Sequence, residues 1–282
     1  MLLKNLIKNI PANKRDIFIS GISTNSKKVK KNHIFFAVKG NAINAEKFIP
    51  QAIQRGAGVI ICSRNCEIKT KKNIFVIKTS KIRQLLSEVA SKFYPLKPRN
   101  IIAVTGTNGK TSVADIFYQI LSLNNIPAAT IGTLGIKYDG KVIKSNLTSP
   151  DTISLHKYLT NLKKRGIDNV IIEASSHGLH QKRLHNIKFK AGVFTNFSQD
   201  HLDYHKTMKA YLDAKLILFK EILGKKTSII SDKEIKPFER LNLIAQKNSL
   251  KIIDIGKKQE KIKSIPKFFT SGYQIKNLAM AI

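Results

Sequence analysis

A glycine-punctuated turn between an apolar strand and a helix is the feature that most constrains this chain. The segment reads IIAVTGTNGKTS over residues 101–112. Its apolar, β-branched start predicts a buried strand, and Gly106 and Gly109 allow backbone N–H groups to approach an anion closely. Lys110 is then placed to reach nucleotide phosphates, and the Thr111 hydroxyl to bind Mg²⁺. The segment predicts a phosphate-binding loop at the start of a helix.

The loop departs from the general phosphate-loop pattern, which has a glycine where this chain has Val104. An ordinary glycine turn is the alternative interpretation, but strand, turn and helix follow one another in the order that phosphate binding requires. We therefore predict a nucleotide site in the shorter form TGTNGKT. Its residues are Gly106, Thr107, Asn108, Gly109, Lys110 and Thr111.

Composition limits the class of protein to which the chain can belong. Its 282 residues suffice for two domains, and no apolar run approaches the roughly 20 residues that span a bilayer. The start, MLLKNLIKNIPANKRD, does not resemble a signal peptide because Lys and Asn interrupt its apolar residues. We therefore expect a cytoplasmic protein without membrane insertion, in which Cys62 and Cys66 are reduced thiols.

The chain is strongly basic, with 50 Lys and Arg against 18 Asp and Glu and a formal net charge of +32. Such an excess is typical of proteins that bind nucleic acids or anionic surfaces. The lysines are, however, spread over almost every predicted loop and helix, without a basic tail or interleaved aromatic residues. We therefore expect no nucleic-acid partner and interpret the lysines as solvated residues whose field attracts polyanionic small molecules.

The hydrophobic pattern predicts two α/β domains, at residues 1–95 and 96–282. The first combines short strands with an amphipathic helix at residues 81–94, and the prolines of YPLKPRN then favour an extended linker. The second alternates between strands and helices, which predicts a mainly parallel sheet with ligands at the carboxyl ends of its strands. Its predicted strands lie at residues 101–105, 128–131, 170–173, 192–195 and 228–230, its predicted helices at 111–123, 151–165 and 208–223, and a hairpin turn at Asp139-Gly140.

Polar residues follow the predicted strand at residues 170–173. Glu173 ends this strand near the phosphate loop, and Mg²⁺ prefers oxygen ligands that it shares with phosphates, so we predict that Glu173 and Thr111 bind a metal together. A solvated glutamate at a strand end is the alternative. The segment SSH begins at Ser175, but no Gly-x-Ser-x-Gly turn surrounds it. We interpret these residues as substrate-binding groups rather than a hydrolase nucleophile.

A second polar segment, TNFSQDHLDYH, follows the predicted strand at residues 192–195. It crowds Asp200, His201, Asp203 and His205 into a short loop, and this composition suggests zinc. The spacing matches no zinc motif, so we predict that His201 contributes a single metal ligand or phosphate contact. Lys215 lies in a later apolar helix, where the pattern alone predicts an ordinary lysine whose amine extends to the solvent.

Together these segments resemble the Mur ligase family of ATP-dependent amide-bond synthetases. TGTNGKT is shared with folylpolyglutamate ligases, whereas EASSHGLHQKR, FTNFSQDHLDYH and DAKLILF resemble the branch that extends UDP-N-acetylmuramoyl-L-alanyl-D-glutamate (UDP-MurNAc-L-Ala-D-Glu). The resemblance implies a uridine-binding first domain, an ATP-binding central domain and a C-terminal ligase domain, which we expect to be absent from this chain. It also implies amide synthesis through an acyl phosphate, with meso-diaminopimelate as the expected amino-acid substrate.

The resemblance further implies roles for individual residues. Two Mg²⁺ ions would be bound by Thr111, Glu173, His201 and Lys215, and Lys110, His201 and Lys215 would be the catalytic residues. Lys215 would act as a carbamate formed on its amine. Asn277 matches a residue near the adenine of ATP. The residues that match substrate-binding positions are Ser26, Thr148, Ser149, Ser175, Gln181 and Arg183.

Two departures and two alternatives remain at this point. Asn25 stands where the family usually has an aspartate beside Ser26, and Ser149 replaces the second threonine of a family pair. The chain could be another Mur-type or folylpolyglutamate-type ligase, although the uridine-like first domain argues against the folate branch. It could also be a non-catalytic protein that binds nucleotide sugars, because we expect the chain to be a fragment that is inactive alone.

Overall fold

The computed structural model describes residues 1–40, 44–68, 74–145, 147–256, 267–270 and 272–282. They form two compact units, Met1–Pro95 and Leu96–Ile282. Both units are α/β structures built on largely parallel sheets, which confirms the predicted fold class. None of the helices in these ranges combines the length and the apolar composition that crossing a membrane requires.

The first unit is built on a four-stranded sheet. Its strands are β1 (Gly21–Ser23), β2 (His33–Phe36), β3 (Ala57–Cys62) and β4 (Phe75–Lys78), and its helices are α1 (Leu3–Leu6), α2 (Ile49–Gln54) and α3 (Ile82–Phe93). The strands are all parallel and adjacent in chain order. Cys62 and Cys66 are buried in the core of this unit as free thiols.

The second unit contains an eight-stranded sheet. Its strands are β5 (Asn100–Thr105), β6 (Ala128–Gly132), β7 (Gly135–Tyr138), β8 (Lys141–Ile143), β9 (Asn169–Glu173), β10 (Ala191–Phe194), β11 (Ser228–Ser231) and β12 (Lys251–Asp254). The order across the sheet is β12-β11-β10-β5-β9-β6-β7-β8. The pairs β6-β7 and β7-β8 are antiparallel, as the predicted hairpin requires, and the other pairs are parallel.

Helices pack on both faces of this sheet. They are α4 (Lys110–Leu123), α5 (Thr152–Lys164), α6 (Ser176–His180), α7 (Leu202–His205), α8 (Met208–Ile217), α9 (Phe238–Asn248) and α10 (Gly272–Ala281). The middle of β9 shows why both faces must be covered. Val170 and Ile172 are buried in one apolar cluster, and Ile171 between them is buried in another. A strand that is apolar on both sides is stable only between two layers.

The structure differs from the sequence prediction at several elements of the second unit. The pattern did not identify α9 and β12, because β12 begins with an exposed lysine and its other residues are only half-buried. The helix predicted at residues 208–223 ends at Ile217 and continues as a π-helical turn over Leu218–Ile222. The loop predicted after β10 contains the short helix α7.

The strand order places one edge of the sheet in a position to bind a ligand. The chain passes from β5 to β6 on one side, beyond β9, and later returns to β10 on the other side of β5. In parallel sheets this reversal opens a crevice at the carboxyl ends of the strands. The loops that follow β5, β9 and β10 meet at this edge, and they carry the predicted phosphate, metal and histidine residues.

Candidate functional site

The turn after β5 has the backbone geometry of an anion-binding loop. Gly106 and Gly109 have φ angles of 141° and 83°, and Gly109 immediately precedes α4. A Cβ atom at Gly106 would overlap the Thr195 hydroxyl, so the turn requires glycine there for space as well as conformation. The first N–H groups of a helix have no partner within it. The start of α4 therefore offers donors and a positive dipole end to an anion.

The loop after β10 holds this turn in shape. The Asn108 N–H donates to Oδ1 of Asn196 at 2.9 Å, and Nδ2 of Asn196 donates to the Asn108 carbonyl at 3.2 Å. The Thr195 hydroxyl donates to the same carbonyl at 2.6 Å, and the Thr107 N–H donates to the Asn196 carbonyl at 3.0 Å. The conformation of the turn is thus fixed by protein contacts. Sequence reasoning did not identify Asn196, whose role becomes visible only when β5 and β10 are neighbours.

Lys110 and Lys215 both point toward this turn. Nζ of Lys110 donates to the carbonyls of Gly106 and Thr107, at 3.0 and 2.7 Å. Nζ of Lys215 donates to the Gly106 carbonyl at 2.6 Å, and Lys215 is only 1% exposed. The sequence interpretation of Lys215 as a lysine that extends to the solvent is therefore wrong. An apolar helix pattern does not reveal that a buried carbonyl lies opposite the amine.

Burial changes the charge of these amines. Burial, together with the positive charge of Lys110, lowers the pKa of Lys215 to about 6, while Asp200 partly opposes both effects. Burial also lowers the pKa of Lys110, against the opposing effects of Glu173 and Asp200. At neutral pH most molecules therefore carry an uncharged amine at Lys215. An uncharged amine is a nucleophile, whereas an ammonium group is not.

Glu173 is buried among hydroxyl groups at the end of β9, with 2% exposure. Its Oε2 accepts from the hydroxyls of Thr111 and Thr133 at 2.9 and 3.0 Å, and its Oε1 accepts from the Thr133 N–H at 3.0 Å. A Cβ atom at Gly132 would overlap the carboxylate. The alternative of a solvated glutamate is therefore wrong. The oxygens of Thr111 and Glu173 lie side by side, a donor set that suits Mg²⁺.

Four of the residues predicted to bind substrate, Ser149, Ser175, Gln181 and Arg183, form one hydrogen-bonded group beside Glu173. The Ser149 hydroxyl donates to the Glu173 carbonyl at 2.8 Å and accepts from the Ser175 N–H at 2.9 Å. Arg183 donates through Nη1 to the Ser149 carbonyl and through Nη2 to Oε1 of Gln181, each at 2.7 Å. Ser149 is 1% exposed, so its hydroxyl supports the group from within. Ser175 also caps α6 by accepting from the Gly178 N–H.

His201 precedes α7 as its N-cap residue and has the left-handed conformation, with φ 51° and ψ 32°. Its N–H donates to Oδ1 of Asp200 at 2.8 Å, and its ring lies edge-on to the His177 ring, with centroids 5.0 Å apart. The His205 ring lies beside His177, and the His180 ring lies beside His205. Over the described ranges, no three His, Cys, Asp or Glu side chains meet in a geometry that could hold a metal. A metal here would therefore share its coordination with other oxygens, such as phosphate.

These loops enclose a cavity of about 240 Å³. Asn277 lies at the phosphate-loop side, where a Cβ atom on Gly109 would come within 2.7 Å of its Oδ1. Ser26 belongs to the first unit, where its buried hydroxyl donates to Oε1 of Gln51 at 2.6 Å. The lining combines predicted residues with Ser112 and Thr133, which sequence reasoning did not single out as site residues. It consists of Thr107, Asn108, Gly109, Lys110, Thr111, Ser112, Thr133, Thr148, Ser175, Ser176, His201 and Lys215.

Comparison with known families matches both units. A sequence pattern described as "Mur ligase middle domain" matches residues 104–280. A second pattern, described as "Mur ligase family, catalytic domain", matches residues 18–94. The first match includes the phosphate loop, Glu173, His201 and Lys215, so it contains the residues that the geometry brings together.

Individual relatives agree with this match. A UDP-N-acetylmuramoyl-L-alanyl-D-glutamate--2,6-diaminopimelate ligase from Rickettsia montanensis is 41% identical over 244 residues, 85% of this chain and 50% of that protein. The protein of the same name from Rhizobium meliloti (strain 1021) is 40% identical over 209 residues, 74% of this chain and 43% of that protein. A solved structure of a ligase of this name has a TM-score of 0.78 and 28% identity, covering 90% of this chain and 52% of that one. The chain thus spans about half the length of the relatives it matches.

Proposed function

Because this chain belongs to the Mur ligase family, we propose that it provides the nucleotide and precursor sites of an ATP-dependent ligase that adds 2,6-diaminopimelate to UDP-N-acetylmuramoyl-L-alanyl-D-glutamate. The relatives that share about 40% of its residues carry this name. One observation carries the proposal: the Thr111 hydroxyl, which lines the cavity together with the phosphate loop and Lys110, lies 2.9 Å from a carboxylate oxygen of Glu173. A phosphate, a divalent cation and a positive charge can meet there.

The residues of the cavity fit an ATP-Mg²⁺ complex. The backbone N–H groups after Gly109 would bind the phosphates, and the Lys110 amine would leave its carbonyl partners to neutralise their charge. Thr111 and Glu173 would hold the Mg²⁺, which suits a hard cation because both offer oxygen. When bound, the metal supplies charge stabilisation to the transferred phosphoryl group. Asn277, next to Gly109, would contact the adenine.

Lys215 would contribute to a second metal position as a carbamate. Its uncharged Nζ would attack the carbon of CO₂ and lose a proton, which leaves an N-carboxylate. This step turns a buried amine into an anionic oxygen donor beside the phosphate loop. His201 lines the same cavity and would complete the second position. The low pKa of Lys215 supports the assignment, because only the unprotonated amine reacts with CO₂.

The precursor would lie along the group formed by Ser149, Ser175 and Arg183, with Ser26 of the first unit as the uridine contact. The planar guanidinium of Arg183 is held by the Ser149 carbonyl and the Gln181 side chain and suits a carboxylate or a phosphate. The D-glutamyl carboxylate would attack the γ-phosphorus, releasing ADP and forming an acyl phosphate. The amino group of diaminopimelate would then attack the acyl carbon, releasing phosphate and a proton. Positioning and charge neutralisation are the contributions expected of the protein.

Calorimetric titration of the 282-residue chain tests this function. With Mg²⁺ and a non-hydrolysable ATP analogue present, we expect binding of UDP-N-acetylmuramoyl-L-alanyl-D-glutamate and none of dihydropteroate. The variant Arg183→Ala should lose precursor binding while it keeps the ATP analogue. Binding of dihydropteroate alone would favour the folate branch. Binding of neither ligand would refute the proposal.

A further inference from the structure

Thr133 is a residue of the cavity that no sequence motif marks, yet it contacts two predicted functional residues. Its Oγ1 lies 3.0 Å from Oε2 of Glu173 and 3.1 Å from Oγ1 of Thr148. Its N–H donates to the other Glu173 oxygen, Oε1, at 3.0 Å. Thr133 thus hydrogen-bonds to both carboxylate oxygens of Glu173 and also contacts Thr148, which is expected to bind the precursor.

The Glu173 carboxylate depends on these contacts for its orientation. A buried carboxylate needs hydrogen-bond donors, and the side chain and N–H of Thr133 supply two of the three that Glu173 receives. The third donor is the Thr111 hydroxyl, whose oxygen is itself a candidate metal ligand. When that oxygen turns to a cation, the two bonds from Thr133 are what remains to fix the plane of the carboxylate.

The backbone beside Thr133 is adapted to the same contact. Gly132 ends β6, and any Cβ atom there would overlap the Glu173 carboxylate. The turn that follows β6 therefore receives the carboxylate closely enough for both the N–H and the hydroxyl of Thr133 to reach it. The Thr133 oxygen also contacts the Thr148 hydroxyl at 3.1 Å. The hydroxyl is consequently fixed between the metal and precursor positions.

We propose that Thr133 is a positioning residue that orients the Glu173 carboxylate for a divalent cation bound with nucleotide. This inference rests on the proposed function, in which Glu173 is a metal ligand. Residues that hydrogen-bond to metal ligands commonly change metal affinity by 10- to 100-fold when they are removed. Thr133 acts through Glu173 and does not itself bind the cation.

The test measures Mn²⁺ binding by electron paramagnetic resonance, with the 282-residue chain and a non-hydrolysable ATP analogue. Thr133→Val keeps the N–H and the shape but removes the hydroxyl, and we expect about 10-fold weaker Mn²⁺ binding. Thr133→Ser restores the hydroxyl and should bind within about 3-fold of the unmodified chain. Thr130→Val makes the same change three residues earlier, in β6, and should leave Mn²⁺ binding unchanged. Thr133 is exposed, so its replacement opens no core cavity.

Glu173→Gln separates failure of this inference from failure of the proposed function. If Glu173→Gln weakens Mn²⁺ binding and Thr133→Val does not, the positioning role is refuted and the metal site stands. If Glu173→Gln also leaves Mn²⁺ binding unchanged, the metal site itself is wrong. Equal losses in Thr133→Val and Thr133→Ser would likewise overturn the inference, because the hydroxyl would then not matter. Thermal unfolding of each variant confirms that folded chains are compared.

Discussion

Lys110 and Lys215 donate to the same carbonyl oxygen, that of Gly106, at 3.0 and 2.6 Å. Two ammonium groups that share one acceptor in a buried place repel each other, so the second charge is costly. Lys215 is the more deeply buried and has its pKa lowered to about 6. The arrangement places a largely uncharged Lys215 amine beside the amine of Lys110, whose pKa burial also lowers.

The first prediction concerns the protonation of Lys215. Its amine becomes unprotonated as the pH rises through about 6, so a carbamate should form with ¹³C-labelled bicarbonate at pH 8 and largely disappear at pH 5. Carbon NMR of the chain detects the carbamate carbon directly. Lys215→Arg should lose the resonance, and Lys220→Arg, which changes an exposed lysine, should keep it. A resonance that persists in Lys215→Arg would place the carbamate elsewhere.

The second prediction is that Lys110 has two separable effects. Lys110→Ala removes a charge-assisted contact to phosphate, which typically contributes about 1.5–3 kcal/mol, so ATP-Mg²⁺ should bind roughly 10- to 100-fold more weakly in calorimetry. Since Lys110 also lowers the pKa of Lys215, the pH at which the carbamate resonance appears should move upward. Lys164→Ala, on an exposed part of α5, should change neither quantity. Unchanged ATP binding in Lys110→Ala would contradict the phosphate-loop assignment.

The third prediction tests the hydrogen bonds between Asn196 and Asn108, which join the loops after β5 and β10. Asn196→Asp keeps an acceptor for the Asn108 N–H but replaces the donor to the Asn108 carbonyl with a negative charge. A lost hydrogen bond of about 1 kcal/mol, together with repulsion of phosphate, should weaken ATP-Mg²⁺ binding about 10-fold. Asn161→Asp, at an exposed position of α5, is the matched control. If both variants bind ATP equally well, the hydrogen bonds of Asn196 are not needed to shape the phosphate loop.

The fourth prediction concerns acid stability. Burial, aided by the positive charge of Lys97, lowers the pKa of the fully buried His156 from 6.5 to about 3. The unfolded chain therefore binds a proton between these values that the folded chain does not, and stability falls as the pH drops below about 6.5. The loss from this residue is about 2 kcal/mol at pH 5.

His156→Leu checks this prediction because leucine cannot titrate. Urea unfolding at pH 8 and pH 5 gives the free energy of unfolding for each chain at both values. The difference between the two pH values should shrink by about 2 kcal/mol in the variant, whatever its absolute stability. An unchanged difference would show that His156 does not carry the acid sensitivity.

The phosphate loop could be predicted from sequence because its chemistry is local. Strand, glycines, lysine and threonine are consecutive, so spacing alone specifies their geometry, and the fold class followed from repeated alternation in the same way. Thr133 and Asn196 could not be found like this. Thr133 contacts Glu173, and Asn196 contacts Asn108, in each case at the end of a different strand. Only the order of β5, β9, β6 and β10 in the sheet brings these residues together.

Lys215 shows a second limit of sequence reasoning. A lysine in an apolar helix satisfies the same periodicity whether its amine leaves the core or meets a buried acceptor. The deciding partner, the Gly106 carbonyl, lies 109 residues away in the chain. The orientation of the Lys215 amine therefore depends on the packed structure. The local sequence pattern favoured the commoner outcome, an amine that extends to the solvent.

The left-handed backbone of His201 costs folding stability, and this cost can be compared with what its side chain contributes to binding. A non-glycine residue in the left-handed region carries a cost of about 1 kcal/mol that glycine would avoid. A chain optimised only to fold would place glycine here. If His201→Gly unfolds at a higher temperature yet binds nucleotide and metal less well, the difference measures how much folding stability this position gives up to keep its imidazole.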